Sequence, residues 1–408
     1  MKILLVHNQY QIPGGEEVVF EQEREMLVRA GHQVLTYERS NFEAEDYKGL
    51  RKLNLIANIA WSNDSKGSLQ QILREEKPDV VHVHNFFMMM SPSIFAACHE
   101  AGVPVVQTLH NYRMFCPAAN FLREGKVCED CAQQSLWHGI GHGCYRGSRL
   151  ATASVALMLE FQRQRRAWAD LYIALSDFSR QRFIANGLDA RKLCVKPNFV
   201  SPDPGERTEQ GSYALYLGRL SEEKGLETLL DGWRRLRCDI ALRVVGDGPL
   251  LESLKNRAND LKLSCVKFVG RVPRAQAQQE IKGARFVMAP SQCYENFPMG
   301  IAEAFACGVP VICSKLGGMQ EMVAHGTAGL NFTPGDPADL ANKVQWAWSH
   351  PEEMQAMGKQ ARREFENKYT AERNYPLLME IYRRAIAMQP ARSAAADPAT
   401  ADLTLSHS

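Results

Sequence analysis

Short apolar runs alternate with amphipathic stretches through the first half of the chain. The apolar runs lie in the segments KILLVHN, QVLTYER, DVVHVHN, PVVQTLHN and LYIALS. Helical patterns lie between them at about Glu16–Ala30, Ser68–Glu76 and Ser91–Ala101. Apolar strands separated by helices are typical of a parallel sheet that is covered on both faces. The first half is therefore predicted to be an α/β, Rossmann-like domain.

The same alternation restarts in the second half, after a segment rich in Pro, Gly and charge at residues 198–211. Strand patterns lie in ALYLGRL, IALRVVGDG, CVKFVG, ARFVMAP and PVICS, and helices are predicted between and after them at Gly225–Arg237, Pro249–Leu261, Arg274–Lys282, Met299–Ala306 and Pro337–Ser349. A polar segment between two such patterns is typical of a domain boundary. We predict two doubly wound domains, 1–198 and 199–370, then a helix over 371–390 that crosses back to the first domain, and a disordered tail over 391–408.

Two doubly wound sheets place the carboxyl ends of their strands, and hence their ligand loops, at a common cleft. This topology predicts a nucleotide-like ligand between the domains.

Composition narrows the class of protein. Of the 408 residues, 45% are hydrophobic and 23% charged, and the formal net charge of +2 gives no global reason to expect nucleic-acid binding. The apolar run in MKILLVHNQY is too short for a secretory signal, and no stretch reaches the roughly 18 apolar residues of a membrane span. Eleven scattered cysteines indicate buried free thiols in a reducing compartment. We therefore predict a cytoplasmic protein that binds no nucleic acid.

The strongest chemical signal is the segment YENFPMGIAEAFACGVPVICSKLGG. Glu295 is predicted in the loop after the strand ARFVMAP, and Glu303 in the first turns of the next helix. The amides around Phe297, Met299 and Gly300 then point out from the helix start, which is a site for a diphosphate. Glu303 can accept hydrogen bonds from a ribose diol there, and Glu295 can reach hydroxyls of a bound sugar. The plainer alternative is that Glu303 is only a favourable acid near a helix N-terminus.

A second signal is YLGRLSEEKGLETLL. Arg219 follows a strand directly, and Lys224 comes five residues later, where a helix begins. Two cations beside a helix N-terminus can clamp a departing diphosphate through charge-assisted hydrogen bonds. The alternative is a solvated basic pair, but the carboxyl end of a strand is where the topology places the cleft.

Together these residues resemble the retaining glycosyltransferases of family four, which have the GT-B fold, two Rossmann-like domains facing a central cleft. The resemblance covers almost the whole chain, from KILLVHN to about Ile386. It implies that Arg219 and Lys224 bind the donor diphosphate. It implies that Glu303 holds the ribose and Glu295 the donor sugar. The first domain would bind the acceptor and the second the nucleotide sugar.

The resemblance implies transfer of a hexosyl unit from a UDP- or GDP-sugar to a glycan or lipid-linked acceptor. It also implies that the anomeric configuration of the sugar is retained. The resemblance to this family also implies a role in cell-surface polysaccharide or lipopolysaccharide biosynthesis. One alternative is an epimerase-like GT-B enzyme acting on nucleotide sugars, and another is a non-catalytic binding protein on the same scaffold. The complete set of clamp residues favours the transferase.

The first domain carries two further features of the family. Gly14 and Gly15 lie in the turn after the first strand, where backbone can approach a ligand closely. Family members carry a glycine pair here, near the donor phosphates and the acceptor. His110 ends the strand PVVQTLH and resembles the cleft histidine that contacts the donor sugar, although a core histidine is the alternative. Structural roles are predicted for His82 and His84. The predicted catalytic set is His110, Arg219, Lys224 and Glu295.

No Asp-x-Asp pair is placed to chelate a metal ion under a diphosphate. Arg219, Lys224 and helix amides would stabilise the departing phosphate instead, so we expect catalysis without a divalent ion or other cofactor. The Gly246-x-Gly248 turn lacks the full dinucleotide fingerprint.

A cysteine-rich insertion at residues 111–149 follows His110. Its cysteines have the spacing C-x11-C-x2-C-x12-C, which resembles a structural tetrahedral zinc site: Cys116, Cys128, Cys131 and Cys144. His138 and His142 are alternative ligands. Free or redox-active thiols, or a disulfide pair, are the other interpretations. The insertion is expected to overhang the acceptor side of the cleft.

The stretch that follows, residues 146–168, is basic and amphipathic. Its arginines stand against a single acid, Glu160: Arg146, Arg149, Arg163, Arg165 and Arg166. Such a helix can contact anionic lipid, which predicts a peripheral membrane contact at the inner face of the plasma membrane. A solvated helix face is the ordinary alternative.

Overall fold

The computed structural model describes residues 1–11, 14–46, 58–164 and 169–389. The first half of the chain forms a six-stranded parallel sheet with the strand order β2-β1-β3-β4-β7-β8 and a small antiparallel hairpin, β5-β6. Its elements are, in chain order, β1 (Lys2–Gln9), α1 (Gly15–Arg29), β2 (Gln33–Ser40), α2 (Asn63–Glu76), β3 (Val80–Asn85), α3 (Ser93–Glu100), β4 (Val105–Thr108), β5 (Leu122–Arg123), β6 (Lys126–Val127), α4 (Asp130–Gln133), α5 (Trp137–His142), α6 (Arg149–Gln164), β7 (Leu171–Ala174), α7 (Asp177–Ala185) and β8 (Leu193–Val195).

The second half forms another six-stranded parallel sheet, with the order β11-β10-β9-β12-β13-β14. Its elements are β9 (Tyr213–Leu217), α8 (Leu226–Arg235), β10 (Leu242–Val245), α9 (Leu251–Asp260), β11 (Val266–Gly270), α10 (Arg274–Lys282), β12 (Ala284–Ala289), α11 (Met299–Ala306), β13 (Val311–Ser314), α12 (Gly317–Met322), β14 (Gly329–Phe332), α13 (Pro337–Ser349), α14 (Pro351–Lys368) and α15 (Ala371–Ala387). The predicted α/β class with two Rossmann-like sheets is confirmed.

Burial explains why these strands are nearly continuous in apolar residues. The residues Ile3 to Val6 of β1 are all fully buried, because helices cover both faces of a parallel sheet. In β1, Ile3 pairs with Val34 of β2 on one side and with Val80 of β3 on the other. The central strands therefore bring their carboxyl ends to one edge, where the turn to α1 and the end of β4 lie.

Several short elements were not predicted from the sequence. In the two large sheets and their helices they are the last strands, β8 and β14, and the helices α7 and α12, and in the insertion they are β5, β6, α4 and α5. The strands β8 and β14 have three and four residues, LCV and GLNF, which is too short for an apolar pattern to stand out. The helix α14 ends at Lys368, and Thr370 caps α15 by accepting a hydrogen bond from the Arg373 amide at 3.3 Å.

The last helix, α15, packs on the sheet of the first half. The Tyr382 hydroxyl lies 2.8 Å from Nδ1 of His82 in β3, and Asn374 Oδ1 accepts a hydrogen bond of 3.0 Å from Lys196 Nζ. The chain thus returns to the first sheet after completing the second.

Side chains also join the two halves across the cleft. Glu321 of α12 accepts hydrogen bonds from the amides of Asp177 (3.0 Å) and Phe178 (2.7 Å), the first two residues of α7. The Asn296 side-chain amide donates to the carbonyl of Leu109, directly before His110. These bonds fix the spacing between the two walls of the cleft.

The sequence predicted free thiols, but the structure pairs Cys238 with Cys265, which lie after α8 and before β11. The prediction was wrong for these two residues because their contact is made only by the folded chain. Within the described ranges, no helix is both long and apolar enough to cross a bilayer.

Candidate active site

Two loops of the second sheet dock against each other and place Lys224 beside Glu295. Gly225 has φ +68°, and a Cβ there would lie 2.1 Å from the carbonyl oxygen of Pro290, so only glycine fits. The Gln292 amide donates to the Glu223 carbonyl at 2.9 Å. As a result Lys224 Nζ lies 2.6 Å from Glu295 Oε1.

The ion pair is half-buried, and each partner shifts the pKa of the other. Burial would lower the pKa of Lys224, but the neighbouring Glu295 carboxylate outweighs it and raises that pKa. Burial would raise the pKa of Glu295, but Lys224, together with a 2.6 Å hydrogen bond from Ser291, lowers it. Both groups are therefore charged at neutral pH.

Arg219 lies at the end of β9 and extends into solvent, with 53% of its side chain exposed. One guanidinium nitrogen lies 3.2 Å from Glu223 Oε1, and Glu223 also accepts a 2.6 Å hydrogen bond from Ser221. Arg219 also helps to lower the pKa of Glu295. Its charge therefore acts on the same site while its head remains accessible.

The start of α11 supplies unpaired amides. The amides of Met299 and Gly300 bond to no acceptor among the described residues, whereas the amide of Ile301 donates to the Pro298 carbonyl. Unpaired amides at a helix start, with the positive end of the helix dipole, attract an anion. Phe297 is buried, with its ring 5.5 Å from that of Tyr369, and anchors the loop before α11.

Glu303 lies in the second turn of α11. Burial raises the pKa of its carboxyl to about 7, and the more distant Arg274 only partly offsets this effect. The carboxyl therefore titrates near neutrality, which is unusual for a glutamate with no ligand beside it.

The glycine turn of the first sheet reaches α11. A Cβ on Gly15 would lie 3.3 Å from Cγ of Met299, so the small residue permits close approach. Glu17 fixes the turn, because its carboxylate accepts hydrogen bonds from the amides of Gly14 (2.7 Å) and Tyr10 (3.1 Å). The structure thus brings Gly14 and Gly15 to the same helix start as Met299.

His110 stands on the opposite wall and is not isolated. Its Nε2 lies 3.0 Å from Nδ1 of His84, and the two rings stack with centroids 5.2 Å apart. Burial lowers the pKa of the His110 imidazole well below its usual value. The imidazole is therefore neutral.

Sequence reasoning missed the charged pair behind these histidines. Glu23 in α1 and Lys196 after β8 are both buried and lie 2.9 Å apart. Glu23 occupies the apolar face of α1 between Phe20 and Leu27, and an acid at such a position is the signal that would have pointed to it.

Glu23, His82 and His84 also have the spacing of a metal site, and they are the only such group in the part of the chain that the structure describes. However, the Lys196 ammonium already lies 2.9 Å from the Glu23 carboxylate. A divalent ion would add charge beside a buried cation, so these residues are better explained as a balanced hydrogen-bond network.

The cysteine-rich insertion lies against the donor-side loop. A Cβ on Gly125, in the β5-β6 turn, would lie 3.6 Å from the Gln292 side chain, and the Tyr294 ring contacts the rings of Phe121 and Tyr112. These contacts place the insertion beside the loop that carries Glu295. The expected overhang of the acceptor side stays a prediction.

The four insertion cysteines share one neighbourhood. Burial, and then the field of the nearby Cys116, Cys144 and Cys128, raise the pKa of Cys131 to about 11. The ligand atoms of Glu23, His82 and His84 all lie within 4.8 Å of one another, but no three of the four cysteine sulfur atoms do. The four thiols are therefore neighbours, but their sulfur atoms do not have the mutual distances of ligands to one metal ion.

Only part of the predicted basic helix is described. Residues 165–168, including Arg165 and Arg166, lie outside the described residues, as does the side chain of Arg163. The described part exposes Arg146 and Arg149.

Comparison with known proteins places the two halves in two matching sequence families. Glycosyltransferase Family 4 matches residues 13–204, and Glycosyl transferases group 1 matches residues 201–364. The D-rhamnosyltransferase WbpZ of Pseudomonas aeruginosa is 30% identical over 207 residues, covering 49% of this chain and 54% of that protein. The lipopolysaccharide 1,6-galactosyltransferase of Salmonella typhimurium is 31% identical over 188 residues, covering 43% and 52%.

The chain thus spans about half the length of these curated relatives. A solved structure, Anabaena Alr3699/HepE in complex with UDP, has the same fold, with a TM-score of 0.67, 20% identity, and coverage of 94% of this chain and 100% of that one. The two family matches lie head to tail and together reach from residue 13 to residue 364. The chain therefore belongs to the GT-B glycosyltransferases of family 4 and group 1.

Proposed function

We propose that this chain transfers a hexosyl unit, with retention and without a divalent ion, from a UDP- or GDP-sugar to a glycan or lipid-linked acceptor. The observation that carries the proposal is the Lys224–Glu295 pair beside the unpaired amides of α11. A cation and helix amides at one point support the binding of a departing diphosphate, and the adjacent carboxylate supports hydrogen bonds to sugar hydroxyls.

Each residue of this site is assigned a role that its hydrogen-bonding groups and charge allow. An ammonium has three donors, so Lys224 can keep its bond to Glu295 and still donate to a phosphate oxygen. When the bond between the anomeric carbon and the phosphate oxygen breaks, its electron pair passes to the diphosphate. Lys224, Arg219 and the amides of Met299 and Gly300 stabilise that charge. Glu295 orients the sugar, and the Glu303 carboxylate accepts hydrogen bonds from the ribose hydroxyls.

The relatives support a role in surface glycan synthesis. One matched protein is named a D-rhamnosyltransferase and another a lipopolysaccharide 1,6-galactosyltransferase, and solved neighbours hold UDP and UDP-glucose. We propose polysaccharide or lipopolysaccharide biosynthesis for this chain on that basis. The retaining outcome rests on the resemblance of the motifs to the family.

The donor clamp predicts that a nucleotide sugar binds without a divalent ion and that its turnover depends on Lys224. In EDTA, one member of a panel of UDP-, GDP- and ADP-sugars should raise the melting temperature and be slowly hydrolysed. Lys224→Met should lower donor turnover by about 10²- to 10³-fold, the usual cost of losing one donor to a developing oxyanion. Lys255→Met is the matched control, because Lys255 pairs only with the exposed Glu252.

Equal turnover in Lys224→Met and Lys255→Met would contradict the clamp. Interconversion of the nucleotide sugar, with no free sugar and no transfer, would favour the epimerase.

Glu303 predicts that donor affinity depends on pH. A ribose diol donates two hydrogen bonds, so it needs the ionised carboxylate, which exists above the pKa of about 7. Affinity should therefore fall as the pH drops below 7, by about tenfold per pH unit in the limit. Calorimetric titration with the intact nucleotide sugar measures this without interference from a terminal phosphate, which itself titrates near pH ~6.

In Glu303→Gln, affinity should be weaker at about pH 8 and independent of pH between about 6 and 8, because the carboxyl with a pKa of about 7 is gone. An unchanged pH dependence in this variant would assign the titration to another group.

We further propose that the insertion cysteines hold a structural zinc ion. Cys128 directly follows the β5-β6 hairpin and Cys131 lies in α4, so the pair occupies a hairpin-to-helix turn, while Cys116 and Cys144 flank it. Four thiolates suit tetrahedral zinc, and binding would draw them to ligand spacing. The ion would tie the hairpin and α4 to the part of the insertion that packs in the core through Phe115 and Phe121.

Zinc predicts a measurable metal content. The purified chain should contain about one zinc per molecule, and the pair Cys128→Ser and Cys131→Ser should lose it and melt at a lower temperature. Cys98→Ser is the control, since Cys98 is a buried thiol on α3 outside the insertion. Absence of metal, with unchanged stability in chelator, would contradict the proposal.

We also propose a peripheral membrane contact through α5 and α6. These helices expose Trp137 (75%), Leu150 (73%) and Leu157 (50%), next to the exposed Arg146 and Arg149. Exposed apolar side chains beside cations fit the interface of an anionic bilayer. Trp137 lies in the insertion, and the two leucines lie on α6, which follows it directly.

The membrane proposal predicts flotation with vesicles that contain anionic lipid at low salt. Leu150→Asp with Leu157→Asp should abolish flotation, because each carboxylate opposes insertion and repels the anionic surface. Leu377→Asp is the control, an exposed leucine on α15. No flotation of the unaltered chain, or equal loss in the control, would contradict this contact.

A further inference from the structure

A line of hydrogen bonds connects a buried charge to His110. Lys196 Nζ lies 2.9 Å from Glu23 Oε2, and Glu23 Oε1 lies 3.1 Å from His84 Nε2. His84 Nδ1 then lies 3.0 Å from His110 Nε2. Every link from Lys196 to His84 is buried, and only the last residue reaches the cleft wall.

Charge determines the direction of each bond. The Lys196 ammonium keeps Glu23 ionised, and an ionised carboxylate can only accept. His84 must therefore donate from Nε2. With one negative and one positive charge already balanced, a cationic His84 would leave a buried charge uncompensated. With its single ring proton used at Nε2, His84 keeps a lone pair on Nδ1 and accepts a hydrogen bond there from the N–H of His110 Nε2.

The neighbouring residues hold this arrangement in place. His82 Nδ1 lies 2.9 Å from the same Glu23 oxygen, and its Nε2 lies 2.8 Å from the Thr108 hydroxyl. Tyr382 and Asn374 of α15 contact His82 and Lys196 at 2.8 and 3.0 Å. The polarity of the line is therefore set by several buried bonds rather than by one.

The remaining nitrogen of His110 is available to a ligand. Its Nδ1 bonds to no residue in the described ranges, and it is not among the buried nitrogens that lack a partner, so solvent reaches it. His110 lines a cavity with Phe87, Arg113 and Met158 at this wall.

We propose that Glu23 and His84 are positioning residues that fix His110 as its Nε2–H tautomer, so that Nδ1 accepts a hydrogen bond from a sugar hydroxyl. The inference rests on the proposed transferase function for its ligand, but the tautomer is a property of the free protein.

The tautomer can be measured without any substrate. In the full chain labelled with ¹⁵N-histidine, with His110 assigned from the signal lost in His110→Asn, we expect a protonated Nε2 and an unprotonated Nδ1 at pH 7. A protonated Nδ1, or an imidazolium, would overturn the proposal whether or not the chain turns over a donor.

The turnover of His84 variants tests whether the position of the His110 proton affects catalysis. His84→Phe keeps the ring and removes the acceptor, and it should lower kcat by about 10- to 100-fold, the usual effect of losing an orienting partner. The KM for the nucleotide sugar should change less. His84→Asn, which keeps an acceptor near the position of Nδ1, should recover part of the loss.

His7→Phe is the matched control. His7 is equally buried on β1, stacks on Phe20, and its ring nitrogens bond to nothing among the described residues. Loss of donor hydrolysis in His84→Phe places the hydroxyl on the donor sugar, and loss of transfer alone places it on the acceptor. Equal kcat in His84→Phe and His7→Phe would overturn the role of His84.

Discussion

The close packing of two loops, at Gly225 against the Pro290 carbonyl, is the constraint on which the donor site depends. It leaves room for no side chain at residue 225 and forces Lys224 and Glu295 into contact at 2.6 Å. Each charge then offsets the cost of burying the other. The start of α11 follows directly on this loop, so the amides, the cation and the carboxylate have fixed relative positions before any ligand binds.

The opposite wall of the cleft also depends on an ion pair. Glu23 and Lys196 form a second buried pair, and its charge orients the histidines that end at the cleft. The two walls are joined by the bonds of Glu321 to α7 and of Asn296 to Leu109. The helix α15 reinforces the first wall from behind, through Tyr382 and Asn374. A change in the position of α15 would therefore act on His110 without contacting a substrate.

The sequence was informative where local pattern and chemistry coincide. The alternation of strands and helices predicted both sheets, and the bounds predicted for the helices at Arg274–Lys282, Met299–Ala306 and Pro337–Ser349 agree with the structure. The proximity of Lys224 and Glu295 follows from their places at strand ends. By contrast, the Glu23–Lys196 pair and the Cys238–Cys265 bond join residues 173 and 27 positions apart. One sequence carries no record of such contacts, because they exist only when the helices have packed.

A crystal structure of the protein grown with a nucleoside diphosphate in EDTA tests the central claim most directly. The account predicts the terminal phosphate within hydrogen-bond distance of Lys224 Nζ and of the Met299 and Gly300 amides, with the ribose diol at Glu303. A nucleotide bound elsewhere, or bound at this site only when a divalent ion is added, would contradict it.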